Sequence, residues 1–243
     1  MDLHGKVALV TGGAVRVGKA ISLALAGAGA DIVMNYNTSS SDAQETAAGI
    51  GALGRRALTY QADVSQRDGV QAMVDAAIER YGRLDVLVNS ASVWRRTPWE
   101  ELTEEEWDTK LDVDLKGAFL CAKAAWPHLI AHGDGAIVNI VDLSALKPFP
   151  NFLAHSAAKA GLLNFTYGLA QELAPAVRVN AVAPGPVLPP PAYSEKQIAA
   201  VANRTLLKRW GSAEDVADAV LFLVRAPYIT GIVLPVDGGE RLA

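Results

Sequence analysis

The sequence predicts an α/β protein built on a single doubly wound parallel sheet with helices on both faces. Three observations carry that expectation. Short apolar runs alternate with longer helical stretches along the chain, the signature of right-handed βαβ crossovers. The runs are continuous rather than alternating, as in strands buried on both faces. The first run ends in a glycine-rich turn, Thr11-Gly12-Gly13-Ala14-Val15-Arg16-Val17-Gly18-Lys19, that opens a helix. The setting of strand, glycine turn and helix turns such a string into a nucleotide-site hypothesis; a plain tight turn is the alternative.

Taken in order, Lys6 to Val10 is the first strand, and the helix after the turn runs to Gly27-Ala28-Gly29. Asp31 to Tyr36 is the second strand, Ser41 to Leu53 a helix, and Arg56 to Gln61 the third strand. Asp63-Val64-Ser65 leads into a helix from Val70 to Tyr81, and Leu84 to Asn89 is the fourth strand. A long helical pattern follows, from a capping-box start at Thr103-Glu104-Glu105-Glu106 to about Ala131. Ala136 to Val141 is the fifth strand, Ala154 to Leu173 a long helix, and Val177 to Val182 the sixth strand. The segment from Pro184 to Pro191 reads as a loop, because proline suits neither a helix interior nor a central strand. A short helix near Glu195 to Asn203, a last helix from Ser212 to about Val224 and a strand at Ile232 to Val236 complete the chain. No internal repeat or linker breaks residues 1–243, so one domain is expected, with a substrate loop at about 186–204.

Bulk composition narrows the function classes. Hydrophobic residues make up 51%, ample for a core, and the net charge of −4 argues against nucleic acid or an acidic membrane surface as partner. The lone Cys121 lies in an apolar run and reads as core. The first residues, Met1-Asp2-Leu3-His4-Gly5-Lys6, lack a signal-peptide layout, and no stretch reaches the roughly 18 apolar residues of a membrane span. The expectation is a soluble, cytoplasmic protein. No His/Cys/Asp cluster has metal-ligand spacing, so no metal is expected.

In a doubly wound sheet, ligands gather at the carboxyl ends of the strands. The glycine turn, Asn35, Asp63, Asn89, Asp142 and Pro184 all fall there. That convergence points to a Rossmann-type dinucleotide site. An acidic residue about 20 positions past the glycines usually holds the ribose 2′-hydroxyl of NAD. Here the second strand ends Asn35-Tyr36-Asn37-Thr38-Ser39, without a carboxylate, and Arg16 adds a fixed positive fork. NADP (as NADPH) is therefore the expected cofactor.

With these pieces in place, the chain resembles the short-chain dehydrogenase/reductase family over essentially its whole length. The matching segments are Thr11 to Gly18, Asp63-Val64, Asn89-Ser90-Ala91-Ser92, Ile137 to Ile140, Lys159, Arg178 to Gly185, Arg209-Trp210-Gly211 and Thr230-Gly231 to Gly239. Within the family it is most similar to the pteridine reductases. Arg16 stands where the third glycine is usual, Asp142 stands at the usual catalytic serine, and Trp94 follows the Asn89 segment. The resemblance implies cofactor contacts at Gly12, Arg16, Val17, Gly18, Asn35, Tyr36, Asn37, Thr38, Ser39, Asp63, Val64, Asn89, Ser90, Ala91, Lys159, Pro184, Gly185 and Val187. It implies substrate contacts at Arg16, Ser92, Trp94, Asp142, Leu188, Pro189 and Tyr193, with Trp94 stacking on a planar ring. It further implies a homotetramer that pairs the two long helices, and the apolar residues Phe152, Leu162, Leu163, Phe165 and Leu169 fit that or burial in the core.

Two positions depart from the family. Its active-site tyrosine, four residues before the lysine, is here His155, in His155-Ser156-Ala157-Ala158-Lys159, and Asp142 and His155 keep the family's interval of 13 positions. Its asparagine before the Lys-Gly-x-Phe segment is Asp114. Histidine donates protons near neutral pH, although Lys159 close by favours its neutral form. The catalytic residues expected are thus Asp142, His155 and Lys159, with Asp114 on the proton path. Three readings follow. The first is an NADPH-dependent reductase of a pterin-like or related planar C=N or C=O substrate. The second is a general carbonyl (ketone, sugar or quinone) reductase. The third is a catalytically impaired NADP-binding protein.

Overall fold

A computed structural model describes residues 1–190 and 192–243; Pro191, in the proline-rich segment, lies outside the described residues. The strands are β1 (Val7–Val10), β2 (Asp31–Tyr36), β3 (Ala57–Gln61), β4 (Val86–Asn89), β5 (Gly135–Ile140), β6 (Val177–Pro184) and β7 (Val233–Val236). They form one sheet in the order β3-β2-β1-β4-β5-β6-β7, and every pair is parallel. The helices are α1 (Arg16–Gly27), α2 (Ser40–Ala52), α3 (Arg67–Tyr81), α4 (Glu104–Leu111), α5 (Gly117–Ile130), α6 (Leu153–Leu173), α7 (Glu195–Arg204) and α8 (Ala213–Arg225).

Burial explains the apolar runs. Every residue of β1, β4, β5 and β6 is buried, because helices cover both faces of the sheet. On one face, Ala8, Val10 and Val138 share a cluster with Ile21 and Leu25 of α1 and with Val216 and Val220 of α8. On the other, Val74 of α3 and Leu120 and Leu129 of α5 pack on Leu9, Leu87 and Ile137. Arg178, at the start of β6, donates to the carbonyls of Leu223, Val224 and Ala226 and so satisfies the open end of α8. The strand order reverses between β1 and β4, which opens a crevice at their carboxyl ends.

Three expectations are corrected. The long helix after Thr103 is interrupted by a π-helical turn at Asp112–Lys116, which carries Asp114 inward. The Thr103 hydroxyl accepts from the Glu106 N–H, but the Glu106 carboxylate is taken by Arg95, so the capping box is only half made. Complete boxes occur instead at Ser194/Gln197 and Ser212/Asp215. Pro184 is the last residue of β6 and not a loop residue. It is tolerated because β5 is paired only as far as Ile140 opposite Val182, so the missing N–H falls beyond the end of β5.

Candidate functional site

The glycine turn is shaped by contact rather than flexibility alone. A Cβ on Gly18 would lie 2.0 Å from the Gly12 carbonyl oxygen, and one on Gly12 would meet Ala91 at 2.9 Å. Turn, helix start and the segment after β4 are therefore packed backbone to backbone. The Thr11 hydroxyl accepts from the N–H groups of Ser90 and Ala91, and the Asn35 amide oxygen accepts from the Gly12 N–H. Beside this turn runs a groove of about 260 Å³ lined by Gly12, Ala14, Val15, Asn35 to Ser39, Ala62 to Val64 and Ala91 to Val93. No carboxylate from the end of β2 enters it; Asn37, Thr38 and Ser39 supply amide and hydroxyl groups there.

Several expected contacts have other work. Asn35 is buried and also donates to the Ala62 carbonyl, bracing the turn against the chain after β3. Asn89 donates to Asn139 within the sheet. Val187 packs in the core beside Val216 and borders a separate cavity with Gly211 and Asp237. Arg16 adopts φ +51°, the left-handed region where glycine is usual, and its guanidinium donates to the Leu188 carbonyl. It thus bridges the turn and the segment after β6, and it is not among the residues that line the groove.

The chemistry is concentrated at the ends of β4 and β5. Asp142 caps a short turn after β5, and its Oδ1 accepts from the Ser144 N–H and hydroxyl. Its Oδ2 lies 2.6 Å from His155 Nε2. His155 Nδ1 faces Asp114 Oδ2 at 3.3 Å, an ionic contact without the alignment of a formed hydrogen bond. Lys159, one turn along α6, donates to the Ile140 carbonyl at 3.0 Å and stands 3.6 Å from Asp114. The four expected catalytic residues are therefore assembled, as Asp142–His155–Asp114–Lys159.

The imidazole is buried, with only 2% of its side chain exposed, whereas Asp142 keeps 16%. Burial pushes the His155 pKa down, but the Asp114 carboxylate close to Nδ1 and the hydrogen bond and charge of Asp142 outweigh it, and the net direction is up. Lys159 pushes the ring towards its neutral form, as expected, and the two carboxylates push the other way and prevail. Burial pushes Asp114 up, yet Lys159, His155 and Ser92 bring it down to about 2. Asp142 is held below the usual carboxylate range, since His155, Lys159 and Ser144 outweigh burial. With an imidazolium the group carries two positive and two negative charges and is neutral. With a neutral ring it would bury a net negative charge.

An apolar groove of about 610 Å³ adjoins the group, with Trp94, Leu143, Phe149, Phe152 and Tyr193 in its wall and the charged Arg204, Glu240 and Arg241 also lining it. The Trp94 ring stacks on Phe152 at 4.4 Å and meets His155 edge-on at 4.7 Å. Phe152 thus belongs to this wall rather than to a buried stripe; its place three residues before His155 was the available signal. Of the expected substrate contacts, Leu188, Pro189, Arg16, Ser92 and Asp142 are not part of the wall, and the Ser92 hydroxyl donates to Asp114. Cys121 is buried in the core, where burial pushes its thiol up to about 12.

Comparison with known proteins agrees with this fold. The family model described as enoyl-(acyl carrier protein) reductase matches residues 13–240. A 3-oxoacyl-(acyl-carrier-protein) reductase of Synechocystis is 38% identical over 241 residues, covering 98% of this chain and 97% of that one. A short chain dehydrogenase of Burkholderia cenocepacia, solved in complex with NADP, shares 38% identity with a TM-score of 0.93, covering 99% of this chain and 100% of that one. Carveol dehydrogenase of Mycobacterium avium, solved with NAD, shares 30% identity at a TM-score of 0.93, covering 100% of this chain and 99% of that one. On matches that run almost the whole length of the sequence, the protein belongs to the short-chain dehydrogenase/reductase family of oxidoreductases.

Proposed function

We propose that the protein is an NADPH-dependent carbonyl reductase in which a histidine, paired with an aspartate, supplies the proton. The observation that carries this reading is the 2.6 Å contact between His155 Nε2 and Asp142 Oδ2, beside the crevice where the strand order reverses. The cofactor groove fits the phosphorylated dinucleotide. Its glycine turn leaves no room for side chains, and the end of β2 presents no carboxylate to repel a 2′-phosphate. The NADP-bound relative from Burkholderia and the 3-oxoacyl reductase from Synechocystis support both the cofactor and a ketone substrate.

When bound, NADPH supplies the hydride that reduces the carbonyl carbon. The residues of this chain manage the proton. His155 holds it on Nε2, and Asp142, the more accessible partner, forms the end of the pair that substrate can reach. As the reduced oxygen gains negative charge, the Nε2–H bond breaks and an O–H bond forms on the product. Asp142 passes the proton across and ends as the carboxylate it began as, while the imidazolium ends neutral. Lys159, held by the Ile140 carbonyl, fixes a positive charge behind the pair. The paired geometry favours a working site over an impaired one.

A second reading is favoured by one observation: the Trp94–Phe152 stack offers a flat face to a planar ring, as a pterin-like C=N substrate requires. NADPH oxidation with β-keto esters, simple ketones, quinones and dihydropterins separates the two. Turnover with the ketones is the expected result. Turnover confined to dihydropterins would favour the second reading, and none on any carbonyl with NADPH bound would overturn the first.

A further inference from the structure

Asp114 is more heavily used than a helix residue needs to be. It is buried, with 1% exposure, in the π-helical turn between α4 and α5. Its Oδ1 accepts from the Val93 N–H at 3.0 Å, and its Oδ2 accepts from the Ser92 hydroxyl at 2.7 Å. The same Oδ2 lies 3.3 Å from His155 Nδ1 and 3.6 Å from Lys159 Nζ. One oxygen therefore stands between two cationic groups that would otherwise repel each other across a buried space. A second buried side chain completes the arrangement. Lys110, with 1% exposure, donates to the Val93 carbonyl at 2.5 Å. The backbone of Val93 is thus gripped at its N–H by Asp114 and at its carbonyl by Lys110, immediately before Trp94.

We propose that Asp114 is a positioning residue that fixes His155 as an imidazolium with Nε2–H directed at Asp142, and that ties this proton to the loop carrying Trp94. This inference rests on the reading of His155 as the proton source. An asparagine in its place could hold the Val93 N–H but would carry no charge. The His155 and Lys159 cations would then face the single carboxylate of Asp142, and the ring would shed its proton more readily. The charged groups around the ring are Asp142 from the turn after β5, Asp114 from the π-helical turn, and Lys159 from α6 itself. Lys110 of α4 is a further positive group that interacts with Asp114.

Nitrogen NMR of the protein labelled at its histidine rings reads the charge state of His155 directly, without turnover. In the unmodified protein both ring nitrogens are expected to be protonated at pH 7. In Asp114→Asn the titration midpoint is expected to fall by about one pH unit or more. A neutral ring in the unmodified protein at pH 7 overturns the proposal whether or not the variant folds. An unchanged midpoint in a folded Asp114→Asn overturns it as well. Because the readout is the ring and not the reaction, failure here is distinguishable from failure of the carbonyl-reductase reading, which appears as absent turnover.

Discussion

At the level of single residues, the site works through charge balance. A tyrosine in a short-chain reductase would be assisted by a lysine cation; on the proposed reading the proton carrier is itself a cation, faced by two carboxylates. His155→Tyr should therefore lower NADPH-dependent turnover, by about tenfold or more. The phenol is larger than the buried imidazole, and Asp114 and Asp142 disfavour its ionised form. A gain in turnover would show that the histidine is a defect. The same charges set the pH dependence. Reduction needs the protonated ring, so its rate falls as pH rises through the raised pKa of His155, while oxidation of the product alcohol rises over the same range. Initial rates in both directions across about pH 6 to 9 check this, and a reduction rate that climbs with pH contradicts it. The residues that gather here were legible from the family resemblance, with their spacing in support: Asp142, His155 and Lys159 lie at fixed intervals on a strand end and a helix face. Asp114 came from the family resemblance, but the π-helical turn that carries it inward leaves no periodic signature, and the buried Lys110 gave no signal.

Among the secondary-structure elements, the join of β1 to α1 is the least tolerant. Gly18→Ala places a methyl against the Gly12 carbonyl, whose oxygen stands 2.0 Å from the ideal position. The strain of overpacking is about 1–3 kcal/mol, enough to lower the melting temperature measurably. The variant should also bind NADPH more weakly in a fluorescence titration, since the turn cannot keep its shape. Unchanged melting and binding would show that the turn is slack. The strands were readable to within one or two residues, because runs buried on both faces leave a continuous apolar signal. The errors fell where tertiary contacts decide. Arg95 takes the Glu106 carboxylate away from its helix cap, and the end of β5 makes room for Pro184 in β6. Of the apolar residues in α6, Leu162 and Leu163 are buried, while Phe165 lies edge-on to Phe119. Sequence periodicity alone could not assign these two surroundings.

Across the whole molecule, the amino ends of the strands are pinned by buried carboxylates and the carboxyl ends carry the chemistry. Asp85 accepts from the Val7 N–H and pairs with Arg83 and Lys6, which locks the start of β1 to that of β4. Burial pushes its pKa up, but Arg83, the Val7 N–H and Lys6 bring it below the usual carboxylate value. Its stabilising contribution is therefore present above the unfolded carboxylate pKa and is lost as pH falls through the folded one. Asp85→Asn should cost about 3 kcal/mol in urea unfolding at pH 7, and the difference from the unmodified protein should shrink in acid. A pH-independent difference would mean that packing, not charge, is what Asp85 provides. At the opposite end of the sheet, the proposed role of His155 and Asp142 is to deliver a proton during carbonyl reduction. NADPH oxidation with a ketone substrate, by the unmodified protein and by His155→Ala, puts that role to the test when cofactor binding is followed in the same samples. The expected result is turnover by the unmodified protein and a loss of about a hundredfold or more in the variant, with NADPH still bound by both. Equal rates in the two proteins, or no turnover by either despite bound NADPH, would contradict the role given to His155.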